Sequence, residues 1–198
     1  MGAQHLERHA GLSDDVRGGP PPRRSPVAAT GFSPRLGFVL VAALAFGGVA
    51  LAVYLQFVHD MRPCAWCTFQ RLIFIVLGAL ALLAALVRGV RPLFALVGAL
   101  VLLAAGGGFG TALYQHFVAA KAESCTWTWA ERFLMNNGFD ARWPWLFEPT
   151  ANCAEANLPL LGVPFAFWSA ALFAILGVLA ALSLRAAFNA GDRAGRTA

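Results

Sequence analysis

An all-α membrane protein, a bundle of four transmembrane helices with one long polar loop, is the fold class this sequence predicts. Three observations predict it. The chain of 198 residues is 59% hydrophobic, and its apolar residues gather into four long runs. Each run is long enough for a hydrocarbon core of about 30 Å, which takes roughly 20 helical residues. Charged residues make up only 13% of the chain, about half the share usual in a soluble domain. They also avoid the runs: none contains an acidic residue, and the internal basic groups, Arg71 and His116, lie near span ends.

The elements follow in order. Residues 1–35 include Gly18-Gly19-Pro20-Pro21-Pro22-Arg23-Arg24, lack apolar periodicity and read as a disordered tail. The first span covers 36–58. A signal peptide cleaved near Ala50-Leu51-Ala52 is the rival reading, but the region before it is too long and the apolar run continues to Val58. The second span covers 69–87, after a short loop at 59–68. The turn Arg88-Gly89-Val90-Arg91-Pro92 is so short that the third span, 93–118, must lie antiparallel beside the second. Gly106 and Gly110 in the third span form a G-x-x-x-G, a spacing that lets helix backbones approach closely, so helix packing is expected there. The fourth span covers 163–184, and 185–198 form a second tail.

The long loop, 119–162, has order of its own. Thr128-Trp129-Ala130-Glu131 matches a capping box. The short amphipathic helix it opens should carry Trp129, Phe133 and Leu134 on one side and stop near Gly138. With Trp127, Trp143, Trp145 and Phe147 around it, this segment should lie flat at the membrane interface, where tryptophan is favoured. Lying flat would hold Cys125 and Cys153 close to the bilayer surface.

Orientation follows from the basic residues. Of the 15 lysines and arginines, ten lie with the two termini and the short turn. Arg62, Arg71, Lys121, Arg132 and Arg142 lie on the other side, diluted by acidic residues such as Asp60, Glu131 and Glu155. The positive-inside rule then places both termini in the cytoplasm and the loops 59–68 and 119–162 outside, which in a bacterium means the periplasm. The net charge of +5 is thereby explained by topology, and no nucleic-acid partner is implied.

All four cysteines, Cys64, Cys67, Cys125 and Cys153, fall on that outer side, where disulfides persist. Cys64 and Cys67 form a C-x-x-C at the start of the second span. Exposed amides and the helix dipole stabilise a thiolate there. Arg71, four residues after Cys67 and so on the same face, adds a permanent positive charge. Its competing reading is snorkelling to the interface. Zinc is disfavoured because Cys125 and Cys153 lie far apart, with no C-x-x-C spacing and no histidine between them. No metal site is expected. Two structural disulfides are the stronger competitor, although a C-x-x-C bridge closes so small a loop that it constrains the unfolded chain little.

These residues carry a resemblance. Tyr54-Leu55-Gln56, the run Pro63-Cys64-Ala65-Trp66-Cys67-Thr68-Phe69-Gln70-Arg71, Asn152-Cys153-Ala154-Glu155 and Leu161-Gly162-Val163-Pro164 are similar to the bacterial disulfide bond formation protein B (DsbB) family over roughly residues 36–184. The resemblance implies a quinone-dependent enzyme of the inner membrane that reoxidises a periplasmic thioredoxin-fold thiol oxidase (DsbA-like) and draws on the membrane quinone pool, ubiquinone or menaquinone. It implies that Cys125 forms the mixed disulfide when the Cys125–Cys153 bridge is attacked. Electrons then reach Cys64 and Cys67, with Cys67 and Arg71 facing the quinone and His116 in its pocket. Position 70 departs from the pattern: it is Gln where many relatives carry Glu, which removes a charge next to Arg71. Alternatives stay open, the first a relative of this family that serves a different thiol partner or runs in another pathway. The vitamin K epoxide reductase type also joins four helices to two cysteine pairs, but its C-x-x-C belongs near the last core helix. A four-span scaffold with purely structural disulfides would need no cofactor.

Overall fold

The computed structural model describes residues 33–87, 89–121, 128–157 and 159–195, with side chains described to Asn189. The expected N-terminal tail, up to residue 32, and Cys125 lie outside the described residues. Four helices are long and apolar enough to cross a membrane: α1 (Pro34–Val58), α2 (Ala65–Leu86), α3 (Arg91–Phe117) and α8 (Phe165–Gly195). The loop between α3 and α8 carries four short helices, α4 (Trp129–Asn136), α5 (Phe139–Arg142), α6 (Pro144–Phe147) and α7 (Cys153–Ala156), and a small hairpin of β1 (Pro159–Leu160) and β2 (Val163–Pro164). The four long helices form a ring in which each packs against two neighbours: α1 on α2, α2 on α3, α3 on α8 and α8 on α1. This is the four-helix membrane bundle expected from the sequence.

Local chemistry sets the helix ends. Pro34 and Pro92 occupy the first turns of α1 and α3, where a missing N–H removes no intrahelical bond. α2 begins at Ala65, ahead of the Phe69 boundary read from hydropathy, because the Cys64 sulfur takes the cap position and accepts the Cys67 N–H at 3.3 Å. Cys67 therefore lies inside the first turn of α2. α8 continues past Leu184 through Arg185 to Gly195, so most of the stretch read as a C-terminal tail is helical.

The core is apolar and closely packed. Phe74 of α2 and Phe173 of α8 stack at 3.8 Å across the centre of the ring, above Leu77, Val101 and Leu176, none of them exposed at all. Small residues set the α3–α8 approach, but not the pair expected. Gly106 and Gly110 have open space where a Cβ would stand, whereas a Cβ on Gly108 would stand 2.2 Å from the Phe173 ring. The reason is helical phase: the buried stripe of α3 runs Val97, Val101, Ala105, Gly108, Ala112, Gln115, and it passes between the two outer glycines.

At the Cys64 end, α4 sits on the start of α2. The Thr128 hydroxyl accepts the Glu131 N–H at 3.2 Å, as the capping pattern predicts. Leu134 is buried, while Trp129 stacks on Phe133 and meets Phe69 edge-on. The chain leaves α4 through Gly138, whose φ of 66° suits a residue without a Cβ.

Candidate active site

Three elements bring the described cysteines together. The first is the N-terminus of α2, which holds Cys64 and Cys67 with their sulfurs 2.7 Å apart. The second is α7, opened by an Asn152–Glu155 capping box that fixes Cys153 in its first turn. The third is a backbone clasp: the N–H groups of Thr150 and Ala151 both donate to the Pro63 carbonyl, at 2.9 and 3.2 Å. The clasp ties the strand of loop before α7 to the residue before Cys64. As a result Cys64 and Cys153 are buried in one small cluster with Ala156, edged by Trp66 and Cys67.

The two sulfurs of that cluster differ electrostatically. The Cys64 thiol donates to the Cys153 sulfur and holds it below the ordinary thiol range, helped by the Trp66 backbone N–H. Burial pushes Cys64 the other way, well above that range. With both thiols reduced, Cys153 is thus the better thiolate of the pair.

Below the cysteines lies a cavity of about 350 Å³ between α1, α2 and α8, closed on the loop side by Ala156 and Leu160. Cys67, Gln70 and Arg71 supply its polar end; Leu55, Phe74 and Leu172 are among its apolar walls. Leu51 and Ile175, both more than half exposed, also line it. The cavity therefore reaches the apolar outer face of the bundle between α1 and α8. A size of a few hundred Å³ and apolar walls with a few convergent polar groups suit a small hydrophobic molecule with a polar head.

Arg71 does not snorkel. It is 5% exposed, and its guanidinium donates to Gln56 Oε1 at 2.7 Å and to the Leu146 carbonyl at 3.0 Å. Both acceptors are neutral, so the positive charge is oriented without being neutralised. Gln56 comes from α1 and Leu146 from α6, and this explains why the loop's aromatic segment packs where it does: α6 supplies a carbonyl that a buried cation requires.

His116 sits elsewhere. Its ring packs on Phe167 and Phe117, and its Nδ1 lies 3.0 Å from Asn157 Nδ2. It is not among the residues lining the cavity. The neighbouring Gln115 takes the inward position instead. Its Nε2 donates to Cys67 Sγ at 3.1 Å, and its Oε1 accepts from Gln70 Nε2 at 2.7 Å. Sequence reasoning passed over Gln115, although the seven-residue step from Gly108 along the buried stripe of α3 would have found it.

Among the described residues no cluster of three or more His, Cys, Asp and Glu side chains could hold a metal.

Comparison with known proteins decides the class. The family model for disulfide bond formation protein DsbB matches residues 34–183. The chain belongs to the DsbB family. Curated relatives called disulfide bond formation protein B agree. One from Ralstonia nicotianae is 34% identical over 145 residues, covering 73% of this chain and 89% of that protein. One from Dechloromonas aromatica is 34% identical over 149 residues, covering 71% and 86%. Another, from Cupriavidus metallidurans, is 29% identical over 151 residues, covering 76% and 92%. As a DsbB-family member this chain is a multi-pass inner-membrane protein and a disulfide-forming oxidoreductase.

Proposed function

We propose that the protein is a quinone-dependent thiol oxidoreductase that reoxidises a periplasmic DsbA-like thiol oxidase, with both of its own termini in the cytoplasm. The observation that carries this reading is Arg71: a buried guanidinium held, among the described residues, by neutral oxygens, on the helix face of a C-x-x-C sulfur, at the polar head of an apolar cavity. A buried cation without a counter-ion is costly, and its position is explained if the site must accommodate negative charge during its reaction. Purely structural disulfides, the scaffold alternative, give no reason for that cation or for the cavity.

The residues divide the work as follows. The partner's thiolate attacks Cys125, a bond forms between those sulfurs, the Cys125–Cys153 bond breaks, and Cys153 leaves as the thiolate. Cys153, packed against Cys64 in one buried cluster, then attacks the Cys64 sulfur of a Cys64–Cys67 disulfide. The new bond is Cys64–Cys153, and the electron pair of the broken bond goes to Cys67. The partner's second thiolate attacks its own sulfur in the mixed disulfide, forms the partner's disulfide and releases Cys125. The Cys125 thiolate then attacks Cys153, re-forms the Cys125–Cys153 bond and releases Cys64, so that two electrons in total reach Cys64 and Cys67 while the partner leaves oxidised. A quinone held in the cavity would supply the acceptor for those two electrons and two protons. Cys67, Gln70, Arg71, Leu55 and Leu172 would hold it, with Arg71 stabilising anionic charge at the polar end. The open apolar side of the cavity suits a ligand that arrives from the lipid. α4 and α6, with Trp129 and Trp145 exposed, would seat the loop at the interface.

The test is direct. Purified protein is mixed with ubiquinone or menaquinone and a reduced thioredoxin-fold oxidase, and quinone reduction is followed by absorbance. Turnover that requires all three components is expected; no turnover with intact quinone would remove this reading.

A further inference from the structure

The described part of the bundle buries four polar or charged side chains at its thiol end: Thr68, Gln70, Arg71 and Gln115. Thr68 is satisfied locally, its hydroxyl donating to backbone carbonyls of Cys64 and Ala65. Arg71 belongs to the cavity. Gln70 also lines the cavity, but that does not account for its pairing with Gln115. Each is almost wholly buried, at 3% and 1% exposure, and burying an amide that lacks partners costs free energy. They also meet from helices α2 and α3, 45 residues apart in the chain.

Their geometry has a direction. Gln70 presents its NH2 to Gln115, so the Gln115 oxygen is occupied as an acceptor at 2.7 Å. An amide group is planar, with oxygen and nitrogen on opposite sides. Fixing the oxygen on Gln70 therefore turns the nitrogen toward α2, where it donates to Cys67 Sγ at 3.1 Å. An N–H aimed at a sulfur favours that sulfur's anionic form. Without Gln70, the Gln115 amide could rotate and present its oxygen to the sulfur, which a thiolate would repel.

We propose that Gln70 and Gln115 form a two-amide relay in which Gln70 is a positioning residue and Gln115 is a catalytic residue that stabilises the Cys67 thiolate released on disulfide exchange. The proposal deepens the reading above and rests on it for the exchange step, in which the Cys64–Cys67 bond breaks and its electron pair passes to Cys67. It also gives the neutral residue at position 70 a use: a carboxylate there could not donate and would pull the Gln115 NH2 away from the sulfur. The other charged or titratable groups around Cys67 are Arg71 and Cys64 of α2 and Cys153 of α7, with Glu131 of α4 near Cys153.

The test uses full-length protein in which Cys64, Cys125 and Cys153 are replaced by serine, so that Cys67 is the one thiol. Its alkylation by iodoacetamide is timed near neutral pH and again at strongly alkaline pH, where any thiol is ionised. Gln115→Leu should lower the neutral-to-alkaline rate ratio about tenfold, the size expected for losing a hydrogen bond to a charged group. Gln70→Glu, which keeps the side-chain volume, should lower it at least threefold through the turned amide. Gln115→Asn, too short to reach the sulfur, should not restore it. A residue with only a packing role would change access to the sulfur at both pH values alike and leave the ratio where it was. An unchanged ratio in Gln70→Glu overturns the relay, and an unchanged ratio in Gln115→Leu overturns it entirely. If Gln115→Leu does not fold, the neutral Gln70→Leu decides, because it removes the donor to Gln115 without placing a second anion beside the thiolate: a lowered ratio is expected, and an unchanged one overturns the relay. No quinone is present in this measurement, so a protein that failed to reduce quinone yet showed the drop would lose the quinone reading and keep the relay.

Discussion

The two ends of the bundle solve burial in opposite ways. At the level of Phe74, Leu77, Val101 and Phe173 the interior is carbon packed on carbon, with Gly108 leaving room for the Phe173 ring. One helical turn above Phe74 the same α2 face carries Arg71 and Gln70, and α3 contributes Gln115. Lipid tails are as apolar as leucine, so the lower core is held by close packing rather than by exclusion of water. The upper layer spends stability, because each polar group must be desolvated and then matched by a partner from another element: Gln56 from α1, Leu146 from α6, Gln70 and Gln115 for one another. A membrane bundle that only needed to stand would repeat the lower layer.

Substitutions at the two ends should therefore separate activity from stability. The largest effect belongs to Cys67→Ser. It should abolish quinone reduction outright while the thermal midpoint of the purified protein stays within a few degrees of the parent, since serine is smaller by little and Gln115 can still donate to it. If this variant, or Cys64→Ser, merely lowered the midpoint and left turnover intact, the upper layer would be structural and the scaffold reading would stand.

The mirror experiment is Phe173→Ala in the lower layer. Removing that ring opens the space between Phe74 and Gly108 and should cost about 3–5 kcal/mol of stability. The fraction of protein that remains folded should turn over at an almost normal rate per molecule. The check is a denaturation curve in detergent paired with turnover normalised to folded protein. Loss of rate beyond loss of fold would mean that the two layers are coupled through Phe74, which also lines the cavity.

Arg71 sharpens the comparison at a smaller scale. Arg71→Ala should weaken turnover by about 100- to 1,000-fold, the range for removing one preorganised donor from a water-poor site. Arg71→Lys should recover only part of it, because lysine cannot reach the Gln56 oxygen and the Leu146 carbonyl with one planar fork. Titration of quinone against each variant gives the affinity, and saturating turnover gives the rate. Equal activity in wild type and Arg71→Ala would return Arg71 to the status of a buried structural cation.

How much of this was legible in the chain depends on distance along it. The four spans, the short turn before α3 and the cap at Thr128 are local, and hydropathy and capping chemistry read them. The C-x-x-C with Arg71 one turn on is also local, and its shared helix face follows from the 3.6-residue period. Sulfur is not among the usual cap groups, so hydropathy starts the second span at Phe69 and gives no sign that Cys64 caps α2. The Gly106–Gly110 pair was read from spacing without phase, and the stripe through Gly108 shows why phase decides. Gln115 was the harder miss: its partners Gln70 and Cys67 lie on another helix, and beside a titratable histidine a neutral amide draws no attention. Only the packed bundle shows that His116 turns to Asn157 and Gln115 turns to the sulfur.

The smallest effect concerns the junction between loop and bundle, where Cys153 meets Cys64. The Cys64 thiol donates to the Cys153 sulfur and is the largest cause of its depressed pKa. A depressed value means that the thiolate persists to lower pH than an ordinary thiol allows, and that reactivity is lost only as pH falls through the lowered value. Replacing Cys64 with alanine removes the donor, so the pH at which Cys153 becomes reactive should rise toward the ordinary thiol range near 8.5. At neutral pH its alkylation rate, followed at that residue by mass mapping, should fall about three- to tenfold. Cys64→Ser, whose hydroxyl can still donate, should fall less. The order of the two variants is the informative result: if serine and alanine at position 64 leave Cys153 equally reactive, the contact between loop and bundle is one of packing alone, and the polarity assigned to exchange at that junction has no electrostatic basis.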